Sequence, residues 1–493
     1  MNSSIGKKVG RATAWSSVTE IMAKLISPIV NIVLARLLLP EAFGIVATIT
    51  MVISFTEVFT DAGFQKYLIQ HEFESEDELN RSTNVAFWTN LSMSLLACGI
   101  IFVFRHNIAN LLGNSGLGNS ISVASLLIIL AAFSSIQMAR YKREFDFKTL
   151  FFVRIGTALI PVIVTIPLAI ILRNYWALLI GNLVSQLFSA VVLTVKSKWK
   201  IKFYYNIALL KKMFSFCFWT LLESISIWIT ANVDIFIISK YLNDHYLGLY
   251  KTSMAIVNSY LGLVTAAFVP VLFSALSRNQ NDDREFMSIY YKFQRLTAML
   301  IIPMGVGIFL FSDLVTMILL GSNWMEASGF IGLWGLMSVL TITYSHFASE
   351  VYRSKGKPLI SLIIQVSQLI VLIPTLLFFA DYGFKAIYIS RSLVRFELII
   401  SSFVVMGCLF KFKIRDILKN TAPILICSAV MGGVGYGLKL VSDSIIWQFV
   451  SIFVCIIVYF AVLLGCFPSI RKEILGMDIV KKIIGKINLR KKA

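Results

Sequence analysis

Long apolar runs, each about 20 residues and separated by short polar breaks, recur along the whole chain. A helix needs about 20 mostly apolar residues to cross a bilayer core. The pattern therefore predicts fourteen spanning helices, at 13–39, 42–63, 84–104, 120–138, 150–172, 175–195, 213–239, 246–275, 296–320, 327–351, 359–380, 384–408, 420–438 and 444–466. Lipid offers backbone N–H and C=O groups no partner, so only helices or closed barrels span it. A barrel would alternate apolar and polar positions over strands of about ten residues. Uninterrupted runs such as LLIILAAF and IVLIPTLLFFA do not. The expected fold class is an all-α polytopic membrane protein.

The pattern also repeats. LARLLLPEAFGIVAT (34–48) returns 204 positions later as ISKYLNDHYLGLYKT (238–252), with a small residue, a cation, a Leu, a Gly and a Thr in the same register. The offset also brings Trp15 onto Trp219 and Ile21 onto Ile225. Both copies fall on a first helical hairpin. Further matches follow in order: the acidic clusters ESEDELNR and NQNDDREF, the basic loops RYKREFDFK and VYRSKGKP, and the tight outer turns RNYWAL and DYGFKAI. Two six-helix lobes are predicted, 1–203 and 204–410, in parallel orientation because an even number of helices separates the copies. An internal repeat of this kind is the sequence sign of a transporter whose halves rock around a shared site.

The last two helices, within 411–466, have no counterpart in the repeat. The tail, 467–493, places Ile470, Ile474, Met477, Val480, Ile483, Ile484 and Ile487 at helical spacing with Lys481, Lys482, Lys486 and Arg490 between them. Such a segment suits an amphipathic helix lying on an anionic leaflet.

Composition agrees: 57% of residues are hydrophobic, 14% are charged and the mean hydropathy is +0.80. The net charge of +19 raises nucleic acid as a partner, and the positions of the cations decide against it. With the amino terminus inside, 34 of the 45 Lys and Arg fall in inner loops and the tail, while the outer side receives Arg105, Arg173, Lys240, Lys385 and Lys439. This asymmetry is the positive-inside rule and predicts that both termini are cytoplasmic. The segment KSKWKIKFYY comes nearest to a nucleic-acid motif, yet it reads as one more basic inner loop. The first apolar span is too long for a cleavable signal and is expected to remain. The six Cys lie in or at the ends of spans without CxxC spacing, as small membrane residues do.

Enzyme chemistry has no foothold. The four His (71, 106, 245, 346) are scattered, with no HExxH, and no GxxxxGK[ST] motif exists. The GGVGYG at 432–437 lies in a predicted membrane helix, where close helix packing is the reading. The longest outer connection, RHNIANLLGNSGLGN, contains no acid. No catalytic residue, metal site or cofactor is expected.

Charges inside spans cost roughly 2.5–3.5 kcal/mol on insertion scales, so each asks for a partner, a wet cavity or a route to the interface. Arg36 and Lys240, matched in the repeat, lie at outer helix ends, where they either snorkel or gate. Glu20 and Lys24, four apart, can neutralise each other. Arg391 and Arg395 are also four apart, and two like charges on one face call for an anion, with Glu223 or Asp234 able to reach across. Lys251 begins the eighth span, Arg154 the fifth, and Glu57 and Asp61 lie in the inner half of the second. Lys24, Lys251, Arg391 and Arg395 are therefore the candidate substrate-binding cations. Glu20, Glu57, Glu223 and Asp234 are candidates for coupling to H+ or Na+. Prolines 28, 161, 167, 270, 303 and 374 fall inside spans, as kinks or hinges.

The stretches LARLLLPEAFGIVA, YKREFDFKTL, NVDIFIISKYLNDHYLGLYKTSMAI and YRSKGKP resemble the polysaccharide-exporter branch of the multidrug/oligosaccharidyl-lipid/polysaccharide (MOP) superfamily, which holds Wzx-type flippases and teichuronic or colanic acid exporters. The resemblance implies two six-helix lobes in a V around a central cavity plus two additional helices. It implies alternating-access flipping of an undecaprenyl-pyrophosphate-linked oligosaccharide across the bacterial cytoplasmic membrane, the diphosphate meeting the cavity cations. Membrane lipids and polysaccharide polymerase or assembly proteins are the implied partners. The arginine cluster on the first helices of lipid II flippases is not reproduced, where Lys24 and Arg36 stand instead. A drug or cation antiporter of the same superfamily and a membrane-bound glycan-processing enzyme are the competing readings.

Overall fold

The computed structural model describes residues 15, 19, 22, 23 and 25–471, apart from 62, 358 and 469 and the side chains of 215 and 219. Every element among them is helical. They begin with α1 (Leu25–Leu37), α2 (Pro40–Asp61), α3 (Phe64–Gln70), α4 (Glu76–Leu111), α5 (Gly118–Ala124), α6 (Leu126–Arg143) and α7 (Phe147–Ile160). There follow α8 (Ile166–Leu172), α9 (Trp176–Lys196), α10 (Ile207–Tyr241), α11 (Asp244–Arg278), α12 (Asp283–Leu310), α13 (Ser312–Leu319) and α14 (Ser328–Thr341). The series ends with α15 (Phe347–Ser354), α16 (Leu359–Phe379), α17 (Gly383–Leu393), α18 (Arg395–Phe410), α19 (Ile414–Lys439) and α20 (Ile445–Cys466).

Twelve segments among the described residues are long and apolar enough to cross a membrane, so the chain is an all-α polytopic membrane protein. The difference from fourteen arises at two places. The first predicted span is described continuously only over the shorter α1, and Leu359–Phe410, where the pattern predicts two spans, is a single apolar run of 52 residues. That run is broken by a 3-10 turn at Ala380–Tyr382, followed by Gly383 at φ 84°.

The helix starts explain the acidic clusters that recur in the repeat. Ser75 caps α4 by accepting from the Glu78 N–H, and Glu78 reaches back to accept from the Glu74 N–H at 2.8 Å. Asp282 caps α12 through the Arg284 and Glu285 N–H groups. Glu76, Asp77 and Glu78 in one first turn, and Asp283 and Glu285 in the other, sit where the helix dipole favours negative charge. Pro161 opens a five-residue π-helical segment between α7 and α8, while Pro270, Pro303 and Pro374 lie inside α11, α12 and α16.

The chain packs into two compact units, the first formed by Met1–Ala266, Leu319–Ala327 and Leu369–Arg391, the second by Ala267–Ile318, Ser328–Gln368 and Ser392–Ala493. Packing units and repeat copies are different divisions of a chain, so the 1–203 and 204–410 lobes stand as an expectation. The first unit holds one core where α1 and α2 meet α8 and α9 (Val30, Leu34, Ala42, Ala169, Ala177) and another around Phe64, Leu68, Phe87, Met213 and Cys217. The second unit is built on Phe286, Tyr290, Phe347, Tyr352 and Met406. In it α19 and α20, which lack a repeat partner, dock on α12: Asn420 Nδ2 donates to the Tyr291 carbonyl at 2.8 Å and the Tyr459 hydroxyl to the Met299 carbonyl at 2.9 Å.

Candidate functional site

Three charges of the first unit meet where α10, α11 and α17 come together. Asp234, 3% exposed, accepts from the Tyr250 hydroxyl at 2.7 Å. The Arg391 Nε lies 3.1 Å from that hydroxyl and 3.4 Å from the Asp234 carboxylate. Lys251, next to Tyr250, is within electrostatic reach of Asp234 and Arg391. Two cations thus gather around one carboxylate. A buried carboxylate and guanidinium each lose water on folding, so the pairing is what makes both tolerable inside a span.

Arg395 belongs to the second unit. Its guanidinium lies 3.6 Å from the centre of the Trp334 ring, and its Nη1 donates to the Ser338 hydroxyl at 2.7 Å. The helix is interrupted at Val394, which caps α18 between the two arginines. Lys251 and Arg391 are therefore brought together with Asp234, whereas Arg395 has a setting of its own. Glu20 and Lys24 lie outside the described residues, as do residues 472–493 of the basic tail and the Trp219 side chain.

The other candidate acids are spread over the first unit. Glu223 forms an ion pair with Lys66 at 2.8 Å, both about half exposed. Asp61 accepts from the Ser135 hydroxyl. Glu57, one turn earlier on α2, is half-buried. Arg154 is exposed on α7.

The ends of α1 and α10 and the starts of α2 and α11 make a second constellation, at what the charge pattern assigns as the outer face. Here the repeated sequence meets itself. A Cβ on Gly44 would lie 1.8 Å from the Asp244 carbonyl oxygen, and one on Gly248 would lie 1.8 Å from the Pro40 carbonyl oxygen. Position 244 is the repeat partner of 40, and 248 of 44, so each copy presses its first turn onto the other. Only glycine allows backbones so close. Trp324, fully buried, donates its indole N–H to the Ala35 carbonyl at 2.8 Å, satisfying one of the carbonyls that α1 leaves open at its end. Asn114 donates to the Asp244 carboxylate.

His245 bridges this layer. Its Nδ1 is 2.7 Å from Glu41, its own repeat partner, and its Nε2 is 3.1 Å from Glu326. Donating to both carboxylates at once requires protons on both ring nitrogens. The acids are half exposed, so each pair is worth at most about 1 kcal/mol. A Glu41→Gln, His245→Gln cycle is expected to show a coupling of roughly 0.5–1 kcal/mol in thermal unfolding of the detergent-solubilised protein, and strict additivity would mean that the bridge does not form. Arg36 and Lys240, the sequence candidates for a gate, are both exposed, and Lys240 lies 5.9 Å from the Tyr241 ring centre. The contact falls four positions further along each copy. Its signal was legible in the alignment of Gly44 with Gly248 and Glu41 with His245, but not its reciprocity.

A polytopic helical protein with ionised side chains buried within its spans has the marks of a membrane transporter. The chain belongs to the polysaccharide biosynthesis protein family, whose model matches residues 33–329, more than half of its length. It is 24% identical over 341 residues to the succinoglycan biosynthesis transport protein ExoT of Rhizobium meliloti (strain 1021), a match covering 69% of this chain and 68% of that one. It is 21% identical over 381 residues to an uncharacterized membrane protein in the cps region of Klebsiella pneumoniae, covering 76% and 77%. Its fold is similar to that of the lipid II flippase MurJ in an inward closed conformation, with TM-score 0.72, 17% identity and coverage of 93% of this chain and 99% of that one. The protein is a transporter of polysaccharide biosynthesis and not an enzyme.

Proposed function

We propose that the protein flips a lipid-linked oligosaccharide, a repeat unit of a surface polysaccharide carried on undecaprenyl pyrophosphate, from the inner to the outer leaflet of a bacterial cytoplasmic membrane by alternating access. The family match supports the class of cargo. The observation that carries the chemistry is the gathering of two cations, Lys251 and Arg391, around Asp234 inside the spans, donors of the kind that suit a diphosphate. Both termini lie in the cytoplasm on this reading, because the basic loops do. Glu57, Asp234 and Glu223, with Glu20, are the groups through which H+ or Na+ would couple, and polymerase or assembly proteins would receive the product.

The test is a leaflet-resolved assay in proteoliposomes with a fluorescent undecaprenyl-diphosphate saccharide, with and without an ion gradient. Wild-type protein is expected to move the lipid, and Lys251→Ala to slow it about tenfold or more while unfolding at the wild-type temperature. Lys251 is the better probe because removing it strands no carboxylate. No movement of several glycans, together with uptake of cationic dyes, would replace this reading with a drug or cation antiporter.

A further inference from the structure

Away from the Lys251–Arg391 cluster, the first unit holds a polar pocket of about 730 Å³ between the start of α4, the end of α6 and the linker from α9 to α10. The linker is the basic segment KSKWKIKFYY, which the transport reading leaves without a role. It is fixed to α4 at Lys202: the Lys202 N–H donates to Asn84 Oδ1 at 3.0 Å, and the Trp88 indole donates to the Lys202 carbonyl at 3.0 Å.

The acids lining the pocket are all engaged. Glu76 and Glu144 lie 2.7 and 3.3 Å from Arg140 Nη2, and Asp77 lies 2.8 Å from Arg81. Lys198, Lys200 and Lys202 share none of them and give this wall an excess of positive charge. Behind them, Arg140 is only 4% exposed, yet its Nε and Nη1 have no hydrogen-bond partner among the described residues. The same holds for the indole N–H of Trp199, 5% exposed, and for Asn80 Oδ1. A guanidinium and an indole N–H seek acceptors, and an amide oxygen seeks a donor. Buried polar atoms left unpaired are costly, and four on residues that line one pocket point to a ligand carrying both. A phosphate ester with a neighbouring hydroxyl has that pattern. Phe203, next along the linker and 88% exposed, provides the aromatic contact expected at a membrane interface.

We propose that this pocket binds the phosphate headgroup of an anionic phospholipid, such as phosphatidylglycerol, from the leaflet that faces the basic loops, at a site separate from the transport path. Basic pockets on the cytoplasmic side of helical membrane proteins recognise such headgroups.

The experiment is native mass spectrometry of the full-length protein from mixed micelles, titrated separately with phosphatidylglycerol, phosphatidylcholine, glycerol 3-phosphate and undecaprenyl diphosphate. Wild-type protein is expected to retain phosphatidylglycerol at least about tenfold better than phosphatidylcholine. The exposed-lysine variant Lys198→Ala/Lys200→Ala/Lys202→Ala is expected to lose that preference. Trp199→Phe keeps the ring and removes the N–H, and should weaken retention several-fold. Lys411→Ala/Lys413→Ala/Arg415→Ala, in a different basic loop, should leave it unchanged. Equal retention by wild type and the lysine variant would overturn the proposal, as would equal loss in the control variant. Retention of glycerol 3-phosphate alone would make this a soluble-phosphate site, and retention of undecaprenyl diphosphate alone would return the pocket to the transported substrate; either would overturn it.

Discussion

Gly248→Ala, and equally Gly44→Ala, is expected to open the end of the first unit that the charge pattern assigns as outer, and to cut the proposed glycolipid flipping by at least about tenfold. The added methyl would fall 1.8 Å from a backbone carbonyl oxygen, Pro40 in one case and Asp244 in the other. Backbone cannot swing aside as a side chain does, so the first turns of α2 and α11 must separate. Overpacking of this kind costs about 1–3 kcal/mol, which corresponds to roughly a 5- to 150-fold shift against the close arrangement. Labelling of a cysteine introduced at Ala42, which is 7% exposed, measures that shift directly from the outer side. Faster labelling with slower transport is the expected pair of results. Unchanged labelling in both glycine variants would show that the contact does not limit access.

The second large effect is on folding. Arg391→Ala leaves Asp234 buried beside Tyr250 without its guanidinium, and Asp234→Asn leaves Arg391 without its carboxylate. Removing one member of a buried pair costs about 3–5 kcal/mol where the partner's charge stays desolvated and uncompensated, and Lys251, still within reach of Asp234, offsets part of that in Arg391→Ala. Both single variants should therefore express poorly or unfold at distinctly lower temperature. The double variant Asp234→Asn/Arg391→Gln should regain part of the loss, since neither member of the pair is then stranded and Lys251 is the charge that remains of the three. Thermal unfolding in detergent, followed by size-exclusion chromatography, reads all three. A double variant no better than the worse single one would mean that the pair is not coupled. The consequence for function is practical: loss of transport in Arg391→Ala alone does not separate folding from function, whereas a folded double variant that fails to flip assigns the pair to transport, as substrate contact or coupling group.

How much of this was legible in the chain depends on the range of the physics involved. Apolar runs report their solvent locally, because a bilayer core demands about 20 such residues whatever lies beside them. The acidic clusters before α4 and α12 are helix caps, also set by near neighbours. The pairing of Asp234 with Arg391 was among the alternatives their positions allowed, since both charges sit where neither can reach water. The setting of Arg395 was not readable: spacing by four suggests a common face with Arg391, but α17 ends at Leu393 and α18 starts at Arg395, and Trp334 and Ser338 lie far away in sequence. The unsatisfied atoms of Arg140, Trp199 and Asn80 likewise come from three separate segments.

The sequence by itself determined the solvent, the helical class and the supply of charges, because each is a property of composition or of spacing within one segment. Tertiary structure alone decided which charge meets which. It joined Asp234 to Arg391 across 157 positions and His245 to Glu41 across 204. It also turned two matched glycines into one reciprocal contact. Hydrogen bonds and ion pairs act over a few ångströms, and only folding sets distances that short between residues so far apart along the chain.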